Sequence, residues 1–151
     1  MTALDELMGV LLPMLERFEG FRHRPYLCSA GVPTIGVGST RYLDGRRVTL
    51  QDPPITREHA LLLCRQKVLT DYLPAVLELC PGLDTMPRTA AVASWTYNLG
   101  TEALRASTMR KRINAQAWEQ AQAEMKKWTR AGGRVVAGLV KRREAEAALL
   151  A

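Results

Sequence analysis

The spacing of apolar residues changes twice along the chain, and this change limits the fold more than any other feature. Before residue 20 and after residue 56, apolar residues recur at the three- and four-residue spacing of amphipathic helices. Between residues 24 and 50 the chain consists of short β-prone runs separated by Gly, Ser and Asp-Gly. A small antiparallel sheet between helical segments is therefore predicted, and the fold class is α+β, mainly helical.

Capping residues and helix breakers set the predicted helix limits. Thr2 and Asp5 resemble a capping box that starts the first helix, which ends near Gly20 and can break at Pro13. A long helix follows the cap Thr56 and is expected to bend or stop before a proline. Later helices are predicted over about 86–99, 107–114 and 116–128, with a last one after the turn at 131–133.

These elements predict one domain with two lobes, which suits a chain of 151 residues. The β-sheet lobe covers about residues 20–55. The helical-bundle lobe comprises residues 1–19 and about 75–151, and a helix over about 57–73 joins the two lobes. The domain is expected to span residues 1–151 as a whole.

Positive charge is concentrated in the last third of the chain. The net charge is +6, and the stretch from Arg105 to Arg143 holds eleven cations against only Glu119 and Glu124. Such a surface attracts polyanions. Nucleic acid, acidic lipid and anionic cell-wall polymer all fit this charge, so the charge alone does not choose between them.

The cysteines and the N-terminal sequence indicate the compartment in which the protein is made. Cys28, Cys64 and Cys80 form neither a metal-ligand spacing nor an even disulfide framework, although one pair could still close. We therefore expect synthesis in a reducing compartment, no metal site and no cofactor. The apolar run at residues 7–15 is interrupted by Pro13 and is shorter than the roughly 20 residues of a membrane span, so no export signal or anchor is predicted.

Three reactive groups of different chemistry lie close together in residues 19–38. Glu19 stands at a helix end, Cys28 follows nine positions later, and Thr34 follows six positions after that. The strands fold back beside the helix, so the three groups are expected to meet in a cleft, where Gly36 and Gly38 leave room for a ligand. The plain alternative is a solvated helix end, a small core residue and an ordinary strand residue.

The pattern Glu-x8-Cys-x5-Thr followed by Ile-Gly-Val-Gly resembles the catalytic signature of the phage-type lysozymes, glycoside hydrolase family 24. That signature has Glu, then Asp or Cys, then Thr. The similarity continues in the same order through later motifs and covers about residues 17–150; these motifs are Trp95–Gly100, Ser107–Thr108, Trp128, Ala131–Val135 and Gly138–Glu144. The resemblance implies a lysozyme-like fold and an endolysin that hydrolyses the β-1,4 bond between N-acetylmuramic acid and N-acetylglucosamine in bacterial peptidoglycan, for host cell lysis.

The resemblance also implies catalytic roles for the three groups. Glu19 corresponds to the general acid, which must keep its proton near neutral pH. Cys28 departs from the scheme with two carboxylates, because a thiol with a reference pKa of about 8.5 is mostly neutral at pH 7. We expect Cys28 and Thr34 to position the attacking water, which gives inversion; a thiolate nucleophile with retention is the alternative.

Further residues are predicted to bind substrate. Gly36 and Gly38 belong to this group because they leave room for a ligand beside the backbone, and Asn98 is a candidate for either a substrate-binding or a structural role. Arg142 and Arg143 belong to a Lys-Arg-Arg run that would by default form a solvated helix face, and their functional role would be contact with peptidoglycan carboxylates. The tryptophans lie among apolar neighbours and are predicted to be core residues; they are Trp95, Trp118 and Trp128.

Two other functions compete with a muramidase. A lytic transglycosylase needs one acid and no activated water, so the pair of Cys28 and Thr34 argues against it. A basic module that binds the wall or nucleic acid without catalysis is the second, but the chain lacks aromatics interleaved with its cations. The expected partners are peptidoglycan and anionic outer-membrane lipid, with no nucleic acid, and the expected state is a monomer. Synthesis in the host cytoplasm and action in the periplasm then require release through a separate pore, such as a holin.

Overall fold

A computed structural model describes residues 1–151, and helices make up most of it. The helices are α1 (Ala3–Glu19), α2 (Arg57–Lys67), α3 (Leu73–Leu79), α4 (Met86–Leu99), α5 (Thr101–Ala106), α6 (Thr108–Asn114), α7 (Trp118–Met125) and α8 (Ala137–Leu150). The strands form two antiparallel pairs, β1 (Arg22–Leu27) with β2 (Pro33–Gly36) and β3 (Arg130–Ala131) with β4 (Arg134–Val135). The predicted class, mainly helical α+β, is confirmed.

Helix α1 begins and ends where the sequence predicts. The amide of Asp5 donates to Thr2 Oγ1 at 3.1 Å, and the amide of Thr2 donates to Asp5 Oδ2 at 3.2 Å, which completes a capping box. The expected break at Pro13 is wrong, because the helix runs through this residue to Glu19. Pro13 and Gly9 are both exposed, so water can satisfy the Gly9 carbonyl that the proline leaves without a partner.

The bend or stop predicted before Pro74 takes the form of a π-helical turn. Thr56 caps α2 as expected, accepting from the His59 amide at 3.1 Å. A π-helical turn over Val68–Tyr72 then follows α2, and α3 starts directly after this turn with Pro74 at its second residue. A proline is tolerated there because the first amides of a helix have no partner within the helix. The helical path therefore extends to Leu79 rather than to about residue 73.

The chain divides into two compact units. The first comprises Met1–Leu11 with Asp71–Ala151, and the second comprises Leu12–Thr70. The boundaries fall inside α1 and inside the π-helical turn, whereas the sequence placed the edges of the β lobe near residues 20 and 55.

The second unit, Leu12–Thr70, is built on the β1–β2 hairpin and α2. Its buried cluster consists of Ile35, Val48 and Leu63. The predicted run at 47–49 forms no third strand and makes only an isolated bridge between Arg41 and Arg47. Side-chain hydrogen bonds contribute to holding this segment in place.

Asp52 holds the loop after the hairpin together. It accepts hydrogen bonds from the hydroxyl of Tyr42 at 2.7 Å, from the amide of Thr49 at 2.9 Å and from the hydroxyl of Thr49 at 2.7 Å. Arg46 adds an ion pair at 3.4 Å. These donors stabilise the carboxylate and hold the pKa of Asp52 well below its ordinary value, with the Thr49 amide as the largest cause. Burial and the bond to Asp52 raise the pKa of Tyr42 to about 12.

The first unit, Met1–Leu11 with Asp71–Ala151, is a helical bundle. Helix α4 packs against α8, and α6 and α7 pack against each other. The largest buried side chains of its core include Trp95, Leu104, Met109, Ile113 and Met125. Ser107 caps α6 as predicted, accepting from the Arg110 amide at 3.0 Å. No helix in the structure has the length and apolar character needed to cross a bilayer.

Candidate active site

Glu19 is the last residue of α1 and is partly buried. Gly20 ends the helix with a φ of +79°, a conformation that glycine adopts without strain, and its amide donates to the Glu16 carbonyl at 2.9 Å. The chain enters β1 two residues later. This sharp turn places the carboxyl group between a helix end and the start of the hairpin.

Cys28 follows β1 at the start of the hairpin turn. Its amide donates to the Val32 carbonyl at 3.1 Å, and the Gly31 amide donates to the Cys28 carbonyl at 2.8 Å. The amides of Val32 and Ala30, followed by the hydroxyl of Thr34, stabilise the thiolate and lower the pKa of Cys28. The turn therefore favours a negative charge at this position.

Thr34 lies in β2 opposite Tyr26 and is 3% exposed. Its hydroxyl donates to the Val32 carbonyl at 2.8 Å. A hydroxyl carries one proton, so donation to this carbonyl and donation to the Cys28 sulfur are alternatives. The structure thus brings Cys28 and Thr34 together, as the motif predicted.

Tyr26 connects Glu19 electrostatically with Cys28. Burial raises the pKa of Tyr26, the charges of Glu19 and Cys28 raise it further, and Arg22 acts in the opposite direction. The Arg22 guanidinium lies 4.4 Å from the centre of the Tyr26 ring. The carboxyl group and the thiol therefore act on the same phenol, and we call the group Glu19, Cys28 and Thr34 the hairpin site.

An ion pair that the sequence did not indicate fixes the last turn of α1. Arg57, the first residue of α2, donates from Nε and Nη2 to the two carboxylate oxygens of Glu16, at 2.6 Å each. This bidentate pair lowers the pKa of Glu16. The Ile55 amide also donates to the His23 carbonyl at 3.0 Å. Both contacts hold the turn that carries Glu19 against the start of α2.

Gly36 does not leave room for a ligand, in contrast to the prediction. Gly36 is buried with a φ of +67°, and a Cβ added there would lie 3.0 Å from the Cβ of Ala60 in α2. Its missing side chain therefore permits close packing of the strand on the helix. Gly38 has a φ of +78°, and its carbonyl accepts from Lys67 Nζ at 2.6 Å.

Arg142 and Arg143 are not on a solvated helix face, and this expectation is wrong. They are 3% and 0% exposed, and both bind Glu146, at 3.1 Å and 2.8 Å. Arg142 also donates to the Ser94 carbonyl at 2.9 Å, and Arg143 donates to the Asn98 side-chain oxygen. These partners occupy the guanidinium groups, so the structure does not support contact of either arginine with peptidoglycan.

Glu146 is the centre of this group and was missed. Its spacing from the two arginines, three and four residues along one helix, was the available signal. Ser94 Oγ donates to Glu146 Oε2 at 2.6 Å. Burial raises the pKa of Glu146, while the two arginines and Ser94 act in the opposite direction. We call Ser94, Asn98, Arg142, Arg143 and Glu146 the buried ionic cluster.

The other thiols and a cavity of the second unit lie outside the hairpin site. All three cysteines are free thiols, and Cys64 and Cys80 are buried. No group of three or more His, Cys, Asp or Glu side chains is placed to hold a metal ion. A cavity of about 550 Å³ in the second unit is lined by residues that include Tyr42, Pro53 and His59, and it contains no member of the hairpin site.

Comparison with known proteins gives a consistent result. The sequence profile of the family described as Phage lysozyme matches residues 16–146. The chain is 34% identical to an endolysin of Acyrthosiphon pisum secondary endosymbiont phage 1, over 91% of this chain and 92% of that protein.

Solved structures agree with the sequence comparison. An endolysin from Escherichia coli O157:H7 phage FAHEc1 superposes with a TM-score of 0.81 at 33% identity, over 92% of this chain and 89% of the other. A variant of P22 lysozyme gives a TM-score of 0.82 at 29% identity, over 94% of this chain and 95% of that one.

Proposed function

This chain belongs to the phage lysozyme family, and from this premise we propose how its hairpin site cleaves peptidoglycan. Membership makes the chain a glycoside hydrolase of the lysozyme type that degrades the bacterial cell wall. We propose that the bond cleaved is the β-1,4 bond between N-acetylmuramic acid and N-acetylglucosamine. Glu19, Cys28 and Thr34 are the catalytic residues in this proposal.

Glu19 acts as the general acid. Cleavage of a glycosidic bond needs a proton on the leaving oxygen while positive charge develops on the sugar. Glu19 is partly buried at the end of α1, in a turn held by the Arg57–Glu16 pair. That pair anchors the last turn of α1, which ends at Glu19.

Cys28 and Thr34 hold the attacking water. Neighbouring backbone amides and the Thr34 hydroxyl lower the pKa of Cys28, which increases its thiolate fraction. A thiolate is the stronger acceptor for a hydrogen of the water. The Thr34 hydroxyl can donate its hydrogen bond to the Val32 carbonyl, and its oxygen then accepts the other hydrogen of the water. Attack of this water opposite the leaving group inverts the anomeric carbon.

Product analysis tests the reaction. Purified sacculi digested by the wild type should yield muropeptides with reducing muramic acid ends, and mass spectrometry should find no anhydro ends. Anhydro ends would replace hydrolysis with a transglycosylase reaction. The Glu19→Gln variant should release about 10²- to 10⁴-fold less product, the usual contribution of a general acid. Glu6→Gln, an exposed glutamate of the same helix, is the matched control and should digest normally.

The role of Cys28 has its own test. NMR of the first products should show the α-anomer, because inversion of a β-bond gives α. Initial formation of the β-anomer would establish the covalent thiolate route instead. Cys28→Ser should keep activity within about tenfold of the wild type, since a hydroxyl can still bind the water. Such near-normal activity would rule out an obligatory thiolate nucleophile, and activity as low as that of Glu19→Gln would contradict this expectation.

The substrate sets where the protein acts. Peptidoglycan lies outside the cytoplasmic membrane, so we propose synthesis in the host cytoplasm, release through a separate pore and action in the periplasm. Expression without a pore should leave cells intact until chloroform permeabilises the membrane, and lysis without permeabilisation would contradict this route. A monomer and binding to anionic outer-membrane lipid remain predictions; light scattering reads the mass directly.

A further inference from the structure

The segment 126–136 joins α7 to α8 and carries more positive charge than its ion pairs neutralise. Its sequence, Lys-Lys-Trp-Thr-Arg-Ala-Gly-Gly-Arg-Val-Val, has four cations and no carboxylate. Lys127 pairs with Glu124 at 3.0 Å. Lys126, Arg130 and Arg134 are exposed and form no ion pair. We call this segment the basic hairpin.

The same segment exposes apolar side chains. Val135 is 56% exposed, Val136 is 39% exposed, and Trp128 is 40% exposed, although the sequence predicted a core position for this tryptophan. Trp128 packs edge-on against the buried Trp95, with ring centres 5.3 Å apart, so it is anchored to the bundle while part of its ring contacts solvent. Apolar and cationic groups therefore alternate over eleven residues.

The hairpin geometry places a cation beside an apolar group on both faces. Arg130 lies opposite Val135, and Ala131 lies opposite Arg134, across a turn at Gly132 and Gly133 with φ values of +59° and +78°. Cross-strand partners share a face, so Arg130 and Val135 lie on one face and Arg134 on the other. Val136, two residues after Arg134, shares that second face.

We propose that the basic hairpin docks on the surface of an anionic phospholipid bilayer. The unpaired cations complement the phosphate groups, and the exposed valines and tryptophan can enter the headgroup region, where such side chains gain from burial. A hydrated wall polymer would use the cations but would leave the valines in water. The proposal concerns a partner of the helical bundle and does not depend on the catalytic roles assigned to Glu19, Cys28 and Thr34.

Vesicle sedimentation tests the charge requirement. The wild type should bind phosphatidylglycerol–phosphatidylcholine vesicles and should not bind pure phosphatidylcholine. The triple variant Lys126→Gln, Arg130→Gln and Arg134→Gln should bind the anionic vesicles about 100-fold more weakly, because each cation near such a surface contributes roughly 5-fold. The matched control removes three exposed cations of α5 and α6, where no large apolar side chain is exposed; it combines Arg105→Gln, Lys111→Gln and Arg112→Gln. An equal loss in this control would overturn the proposal, since net charge alone would then explain binding.

A second pair of measurements separates lipid from wall. Val135→Ser with Val136→Ser should weaken vesicle binding and leave adsorption to purified sacculi unchanged. Tryptophan fluorescence of the wild type should shift to shorter wavelength with anionic vesicles, and Trp128→Phe should remove most of the shift. The proposal would be overturned if the wild type never bound vesicles and the triple variant of the basic hairpin adsorbed less to sacculi. The surface would then be assigned to the wall. The variants of the basic hairpin should digest isolated sacculi at the wild-type rate. A failure of lipid binding therefore leaves the catalytic proposal intact.

Discussion

The hairpin site and the buried ionic cluster contain similar ionisable groups in opposite surroundings. Glu19 and Cys28 are partly exposed at the junction of a helix and a hairpin. Glu146 is fully buried, and two arginines and a serine occupy both of its oxygens. Both groups lie in stretches where the sequence resembles the family, yet their accessibility differs completely.

This difference in exposure distinguishes a reactive site from a structural one, although both belong to the same set of family motifs. A group that transfers a proton to a substrate must be reachable and must have bonding capacity left. A buried ion whose partners are complete contributes through the cost of removing any one of them. We therefore infer that the hairpin site performs the reaction and that the buried ionic cluster maintains the helical bundle.

The largest expected effect on stability comes from the buried ionic cluster. Glu146→Gln removes the carboxylate charge that both Arg142 and Arg143 bind, while the two guanidinium groups remain buried. We expect a loss of about 3–5 kcal/mol in the free energy of unfolding, measured by urea denaturation. Glu144→Gln, an exposed neighbour on α8, should change it by less than about 0.5 kcal/mol. Equal changes in the free energy of unfolding for the two variants would show that the cluster contributes no more to stability than an exposed residue of α8.

Alkylation compares the thiols of the two regions. The pKa of Cys28 lies below the ordinary 9.0 because hydrogen bonds stabilise its thiolate, whereas burial raises the pKa of Cys80 to about 11. At pH 7.5 the thiolate fraction of Cys28 should exceed that of Cys80 by more than about 100-fold. Iodoacetamide followed by peptide mass spectrometry should modify Cys28 first in the native protein and Cys80 only after unfolding. Similar native rates at the two positions would contradict the environments described.

A smaller effect on stability is expected at Asp52, whose ion pair with Arg46 is more exposed than the buried ionic cluster. Its pKa is depressed in the folded protein, so its carboxylate contributes stability above the unfolded value near 3.8, and this contribution is lost as the pH falls. Asp52→Asn should lower the melting temperature at pH 7 by less than Glu146→Gln does. The difference between wild type and Asp52→Asn should shrink as the pH falls below about 5. A constant difference from pH 7 to pH 3 would show that the charge of Asp52 is not what stabilises the loop.

Local signals predicted most of the elements. Thr56 and Ser107 start helices where the sequence placed them, and α4 ends at Leu99 before Gly100, as predicted. These limits depend on a side chain and a backbone amide three residues away, which a sequence displays directly. Helix α5 was missed because it starts directly after Gly100, with only Leu104 as a buried apolar position.

Features that depend on tertiary surroundings were not predictable in this way. Pro13 breaks no helix because its surroundings are solvated, and α3 restarts at Pro74 after a π-helical turn. Arg142 and Arg143 are charged residues in a basic run, so the sequence favoured a surface position, and only the packing of α8 on α4 reveals the partners that allow burial.

The hairpin site was predicted because its three residues fall within sixteen positions of a motif. The supports of that site were not. Glu16 and Arg57 lie 41 residues apart, and no pattern along the chain pairs them. A separation of 32 residues likewise hid the bond from the Ile55 amide to the His23 carbonyl. Local motifs therefore indicated the reactive groups, and long-range contacts determine how those groups are held.

The most direct test of this division compares Glu19→Gln with Glu146→Gln in one pair of assays. Turbidity loss of a cell-wall suspension, at a temperature where both variants are folded, should fall about 10²- to 10⁴-fold for Glu19→Gln while its melting temperature stays at the wild-type value. Glu146→Gln should melt at a clearly lower temperature and lyse at nearly the wild-type rate per folded molecule. Wild-type lysis by Glu19→Gln would contradict the assignment of the reaction to the hairpin site.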